Sequence, residues 1–482
     1  MFGANIKEAK SKKQKQKARE YLLPFAICLL PNIMELETTE KKESIFEKAR
    51  GYRSLFANRA FCMLWLAQIF SQFADRIIFV VFVTIIAINF DPNGKATSLQ
   101  SWLYIAFTIP AILLTSPAGV FIDRWNKKAV MIITNILRGI TILFLPFFDK
   151  TLIMLYVLAF IMSSVTQFFV PAEASIIPSI VNKYQLLTAN SLFTTTMMAS
   201  LIFGFALGDP MINVCGIKFV HLGIALFFFL AAFCLIFVKY KPLPKSGPEG
   251  HPAFFDDLKE GLVYIKDTPI VRSAMLKLAA LFSIIVMLSI MSIGLSQKYL
   301  YPNNPTMGAQ KFAYIVVFCG IGMVLGAFLI GHSFRRVGKH LLGYIGIFAC
   351  GISLLMFSML PFIPQISVFH FETRSVLIFY LEHFDLTYPM LYSYITATLI
   401  GISTAFIAIP TQTILHTEID PQIRGKVFGI LFTLLSTASS LPVLIAAWGA
   451  ELMGIPRMLL IISIPILLFG FYKLITYKKI NY

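Results

Sequence analysis

The tightest constraint in this chain is a short charged loop, Gly119-Val-Phe-Ile-Asp123-Arg124-Trp125-Asn126-Lys127-Lys128, set between apolar stretches at 99–118 and 129–148. Each stretch has about the 20 residues that a helix needs to cross a bilayer. A basic loop between two spans is expected on the cytoplasmic side, because positive charge resists translocation. A second copy follows 212 residues later, at Gly331-His-Ser-Phe-Arg335-Arg336-Val-Gly338-Lys339-His340, with the same glycine, the same spacing to an arginine and the same trailing base. That interval is too long for a soluble solenoid repeat and reads as a duplicated half of a membrane protein.

Composition agrees with this reading. At 57% hydrophobic and 13% charged residues, with a mean hydropathy of +0.76, the 482 residues carry more apolar surface than one soluble core could hide. The net charge of +17 raises nucleic acid as a partner until its distribution is considered: residues 1–59 alone hold 13 Lys and Arg, and most of the remainder falls in alternate loops. This is the positive-inside pattern for a multi-pass protein of the plasma (inner) membrane with both termini cytoplasmic. The charge is then expected to meet anionic membrane lipids, with no nucleic acid involved. The six cysteines lie mostly in apolar runs without CxxC spacing, so they read as small core residues and not as a metal site. No phosphate-binding loop, zinc-protease helix or nucleophile elbow is present, which argues against an enzyme and leaves no cofactor to expect.

In chain order, residues 1–58 read as a basic cytoplasmic extension. Its apolar run at 21–34 is too short and too interrupted by Pro24 and Pro31 to span, and no cleavage site follows it. The first span, 61–90, places Gln68, Ser71, Gln72 and Asp75 at i, i+3, i+4 and i+7, one polar face, with Arg76 beside it. Ionisable groups at mid-membrane are costly and normally face a cavity or a bundle interior. This face reads as cavity lining, the alternative being that Asp75 and Arg76 neutralise each other and fix packing. Asn135 and Arg138 lie one turn apart in the third span. Arg138 is read either as a partner for Asp75 or as an attractor of an anionic substrate group. Pro171 and Pro178 suggest that the fourth span breaks near its cytoplasmic end, placing Glu173 at the inner rim as a gate partner or a proton site. The fifth span is drawn at 189–207. Gly204 and Gly208 have GxxxG spacing, which is explained by close helix approach, and Asp209-Pro210 lies just past the end.

A six-span half at 59–238 is therefore followed by a linker at 239–271 carrying an amphipathic helix near 254–262, and by a second half at 272–482. The offset between Pro171 and Pro410 is 239, so the second half holds about 27 extra residues, assigned to an outer-loop insertion near 363–389 that could cap the outer opening.

Twelve expected spans in two halves, a central linker and the paired loops resemble the major facilitator superfamily. Its signature, Gly-x-x-x-Asp-Arg-x-x-[Arg/Lys]-[Arg/Lys], fits Gly119, Asp123, Arg124, Lys127 and Lys128. The connection 169–192 and the stretch from Pro410 to Val427 are similar to those of the drug:proton antiporter branch that includes macrolide and siderophore exporters. The resemblance implies an all-α membrane fold of two pseudo-symmetric six-helix halves working by alternating access. It also implies gating by Gly119, Asp123, Arg124, Lys127, Lys128, Gly331, Arg335, Arg336, Gly338 and Lys339, with Arg424 as the charged partner of Asp123. Gln68, Gln72, Asp75, Arg76, Asn135 and Arg138 are the candidate substrate and proton residues, and Asp75 leads because it is the carboxylate placed near mid-membrane. The expected activity is proton-coupled export of small amphipathic or apolar compounds. A lipid or lysolipid transporter of the same fold, and a non-transporting scaffold or sensor, are the alternatives.

Overall fold

The computed structural model describes residues 52–93, 97–182, 185–239, 254–334, 337–369, 386–420 and 423–480. Twelve helices of 17 residues or more form the body: α1 Arg59–Asn89, α2 Thr97–Arg124, α3 Lys127–Leu143, α4 Leu152–Ile180, α5 Leu186–Cys215, α6 Val220–Ile236, α7 Pro269–Leu295, α8 Ala313–His332, α9 Lys339–Ser358, α10 Tyr388–Glu418, α11 Arg424–Met453 and α12 Ile455–Ile480. Eight stretches are long and apolar enough to cross a membrane as they stand, and 98–114, 220–236 and 442–453 are shorter apolar helices. The linker is helical over Phe254–Asp267, and a short helix, Pro305–Lys311, leads into α8.

Capping explains several helix ends. The Asn58 side chain accepts from the Ala60 and Phe61 amides at 3.0 and 3.3 Å to start α1, and donates to the Ile180 carbonyl at the end of α4. Asn126 likewise caps α3 through the Ala129 amide at 3.2 Å. Lys128, expected at the gate, donates to the Ile236 carbonyl at 2.7 Å and so satisfies the C-terminal end of α6. Within the spans, hydroxyls such as Thr84, Thr134 and Thr411 donate to carbonyls one turn back.

Two sequence expectations are corrected. α4 runs unbroken through Pro171 and Pro178, and α5 continues through Pro210 to Cys215. Proline is tolerated in spanning helices where neighbouring groups satisfy the freed backbone. The outer-loop insertion begins and ends in a two-stranded antiparallel pair, β1 Ser367–Phe369 with β2 Leu386–Thr387. The expected cap at 370–385 and the extension 1–51 lie outside the described residues.

The described buried apolar residues form three cores. At the end away from the basic loops, the outer end, a single apolar core joins α1–α6 to α7–α12, from Ile77 and Phe205 to Met291, Phe312 and Tyr394. At the inner end the cores are separate. One holds Leu64, Met131, Phe169 and Leu235 from the first six helices, and the other holds Met275, Leu278, Leu415 and Val427 from the last six. The described residues thus join the halves in one core at the outer end and fall into one core per half at the inner end.

Glycine sets the tightest crossings. A Cβ at Gly322 or at Gly401 would collide with backbone of the facing helix, so α8 and α10 touch main chain to main chain, while one at Gly331 would meet nothing. Gly204 and Gly208 do allow close approach as expected, since a Cβ there would lie 2.7 Å from Arg76 and 2.9 Å from Val80. Overpacking costs about 1–3 kcal/mol. Gly401→Ala is expected to lower the melting midpoint of detergent-purified protein clearly, and Gly331→Ala to leave it in place. Equal midpoints would show the α8–α10 crossing to be loose.

Candidate functional site

The charged residues read from the first and third spans meet in the first bundle. Arg138 on α3 has none of its side chain exposed. Its Nη1 donates to both oxygens of Asp75 on α1, at 3.1 and 3.2 Å, and reaches the Thr166 hydroxyl on α4 at 3.5 Å. Its Nη2 donates to Ser71 Oγ at 2.9 Å and to Asn135 Oδ1 at 2.8 Å. The rings of Phe169 on α4 and Phe228 on α6 each lie 4.7 Å from the guanidinium carbon. A desolvated cation over an aromatic face gains about 2 kcal/mol, and the ion pair with Asp75 offsets the cost of holding a charge at this depth. Asp75 keeps 26% of its side chain exposed, so the pair is sealed on the arginine side and open on the acid side.

The polar face of α1 therefore divides. Ser71 and Asp75 turn to Arg138, whereas buried Gln68 donates to the Phe193 carbonyl of α5 at 3.2 Å. Gln72 is half-buried. Asp75 is bonded to Arg138, while Arg76 lies along Gly204 of α5 and its Nε finds no hydrogen-bond partner. Asn135 donates to the Met131 carbonyl at 2.9 Å, which presents its oxygen to Arg138. Glu173 is not at the rim: it is buried, within electrostatic reach of Arg138 and Asp75, and its Oε1 has no hydrogen-bond partner. The unbroken α4 is the reason, because it keeps Glu173 inside the bundle one turn beyond Phe169.

Of the expected gate residues, Gly119 belongs to α2, Lys127 opens α3, Gly331 is exposed near the end of α8, and Gly338 and Lys339 start α9. The side chains of Asp123, Arg124 and Arg424, and Arg335 and Arg336 altogether, lie outside the described residues. Among the described residues no cluster of His, Cys, Asp or Glu is set to hold a metal.

A second polar centre closes the outer end. Buried Asp209 on α5 accepts from Gln310 Nε2 and, at 2.7 Å, from the Tyr314 hydroxyl, with Lys311 Nζ at 3.5 Å. Asn213 joins it, accepting from Gln310 at 2.9 Å. Gln310 and Lys311 end the short helix before α8 and Tyr314 opens α8, and between them Phe312 projects into the first half, its ring 6.3 Å from Phe79 and from Phe205. Ser98 N donates to Glu451 at 2.6 Å and ties α2 to α11 at the same end. Sequence reasoning missed this centre because Pro210 was taken as the end of a span. The usable signal was an acid inside an apolar run that continues beyond it.

A family model described as the Major Facilitator Superfamily matches residues 64–398, more than half of the chain. An uncharacterised MFS-type transporter of Bacillus subtilis, YfiS, is 26% identical over 432 residues, covering 88% of this chain and 95% of that protein. The multidrug efflux pump Tap of Mycolicibacterium fortuitum is 22% identical, covering 78% and 87%, and macrolide efflux protein A of Streptococcus pyogenes is 21% identical, covering 82% and 90%. Among solved structures, the nucleoside transporter NupG superposes with a TM-score of 0.62 at 12% identity, over 87% of this chain and 99% of that one.

Hydrogen bonds to a charged group contribute about 1.5–3 kcal/mol each, so weakening those at Asp209 should loosen the outer seal. Nitroxide labels on cysteines placed at the exposed outer positions Asn93 and Asn303 would report it by pulsed electron spin resonance in a cysteine-free background. Asp209→Asn is expected to raise the longer-distance population about tenfold, the equivalent of about 1.4 kcal/mol. An unchanged distribution would rule out Asp209 as the lock.

Proposed function

Because the chain belongs to the Major Facilitator Superfamily, we propose that this transporter is a secondary active exporter of small amphipathic compounds, driven by protons that bind at Asp75. The observation that carries the reading is the one-sided burial of the Asp75–Arg138 pair: the acid is 26% exposed and the base not at all. Such a carboxylate is reachable by a proton while it holds a buried cation. Protonation cancels the charge that Arg138 needs, so proton binding and the packing of α1 on α3 are linked.

Alternating access requires two sides that open in turn around a central site. A shared outer core and two separate inner cores fit the inward-open half of that cycle. Export is supported by the efflux pump and the macrolide efflux protein among the relatives. An apolar body on the substrate suits the aromatic group formed by Phe79, Phe107, Phe205 and Phe312 on the outer side of Asp75. In the opposite state, the basic loops at 119–128 and 331–340 would form the inner gate, with Asp123 against Arg424 at the start of α11. The protein is a multi-pass membrane protein; the charge distribution supports a plasma-membrane location with both termini in the cytoplasm.

The test is proton movement in proteoliposomes on addition of a panel of amphipathic compounds that includes a macrolide. The native chain is expected to couple substrate and proton flux, and Asp75→Asn to lose the proton flux. Substrate movement without protons, equal in both proteins, would falsify proton coupling.

A further inference from the structure

Arg138 uses both terminal nitrogens on Asp75, Ser71, Asn135 and Thr166, yet its Nε–H has no partner. Glu173 is buried in the same cluster, and its Oε1 has no partner either. A buried donor and a buried acceptor are thus both left unmatched within electrostatic reach of each other. Buried polar atoms are almost always paired, so two such orphans on neighbouring helices describe a bond that this conformation does not make.

The charges around Glu173 can be counted helix by helix. From α1 it feels Asp75, and from α3 it feels Arg138, while Arg76 of α1 lies along Gly204 of α5; α4 carries no other charged residue, and α5 carries none before Asp209. On α2 the charged residues are Asp123 and Arg124, whose side chains lie outside the described residues. Arg138 is committed to Asp75. An ionised Glu173 would then be a buried anion with an oxygen left bare, whereas the neutral acid avoids that cost.

We propose that Glu173 is the alternate partner of Arg138 and holds the transported proton in the inward-open state. Asp75 lies midway along α1, and Glu173 lies seven residues from the inner end of α4, so the two acids are staggered toward the inner side. In the outward-open state Asp75 takes a proton from outside, and Arg138 pairs with ionised Glu173. On switching, the O–H bond of Asp75 breaks, an O–H bond forms on Glu173, and the guanidinium passes from Glu173 to Asp75. The cluster keeps its total charge throughout, and the proton has moved one station inward. The present structure is the product of that step.

This extends the proton-coupled reading above, and it can be tested without transport. Infrared difference spectra of purified protein in lipid nanodiscs at neutral pH report the C=O stretch of a protonated carboxyl group. The native chain is expected to show such a band, sensitive to exchange into deuterated water, and Glu173→Gln to lack it. Asp75→Asn should also abolish the band, because Arg138 then turns to Glu173 and holds it ionised; a purely structural glutamate would not respond to that change. A native protein with no band assignable to Glu173, or a band unchanged in Asp75→Asn, overturns the proposal. Glu173→Gln resembles the neutral acid in size and polarity, so its melting midpoint is expected to match the native one, and a collapse of the fold in that variant also counts against it. If the band behaves as expected but Asp75→Asn still moves protons with substrate, the exchange stands and the assignment of coupling to Asp75 falls.

Discussion

Arg138 carries a full charge with no exposed side-chain surface, and the first six helices are arranged around that demand. Asp75 supplies the counter-charge from α1, Asn135 and Ser71 take the second nitrogen, and Phe169 and Phe228 cover the group from α4 and α6. Gly139 helps to make this possible. A Cβ there would sit 2.6 Å from Phe229, so the glycine lets α6 approach α3 closely enough for Phe228 to reach the guanidinium. Removing one partner of a buried pair costs about 3–5 kcal/mol, a large share of the roughly 5–15 kcal/mol by which a typical domain is stable. The pair is therefore a structural clamp, and under the proton coupling proposed above it is also the point at which a single proton can do most.

The outer seal has a different character. Asp209 is bound by an amide, a phenol and an ammonium, none of which needs the others to remain charged or dry. Phe312 adds an apolar plug between Phe79 and Phe205. Such a contact can be exchanged for water in small steps when the halves part outside, whereas the Arg138 cluster stays buried and has to change partners instead. The two kinds of interaction thus sit at different depths, the Asp209 contacts between the halves at the outer end and the Arg138 cluster inside the first half.

The helical membrane fold and the family were legible in sequence because they depend on long apolar runs and on charge, which one chain displays directly. The Asp75–Arg138 pair was legible as an alternative, since two opposite charges at similar depth need each other. Glu173 and Asp209 were misplaced for one shared reason: Pro171, Pro178 and Pro210 were taken as ends of helices. In water that inference is sound. In an apolar bundle the helix continues through these prolines, because neighbouring helices hold the segment in place. Gln68 shows the other limit: periodicity put it on the polar face, but its amide nitrogen is spent on the backbone of α5.

The two halves share a plan of helices but not of charges. Among the described residues the buried Asp, Glu, Arg and His side chains, Arg138, Glu173, Asp91, Asp209 and His221, all belong to the first half; the buried polar groups of the second are hydroxyls and an amide, such as Ser292, Gln297, Thr404 and Thr411. The second half is instead locked by close backbone crossings at Gly322 and Gly401, which suit a body that moves as one piece. Under the proposed proton coupling, a response to a proton would begin in the first half and be passed across. α1 and α5 offer the contact for this: Arg76, next to Asp75, lies against Gly204, and Val80 lies against Gly208, the residue before Asp209. With no side chain at either glycine to absorb motion, a shift of α1 when Asp75 changes partners bears directly on the segment of α5 that holds the second half. Coupling between proton site and outer lock then needs only two packed helices and no chain of intermediates.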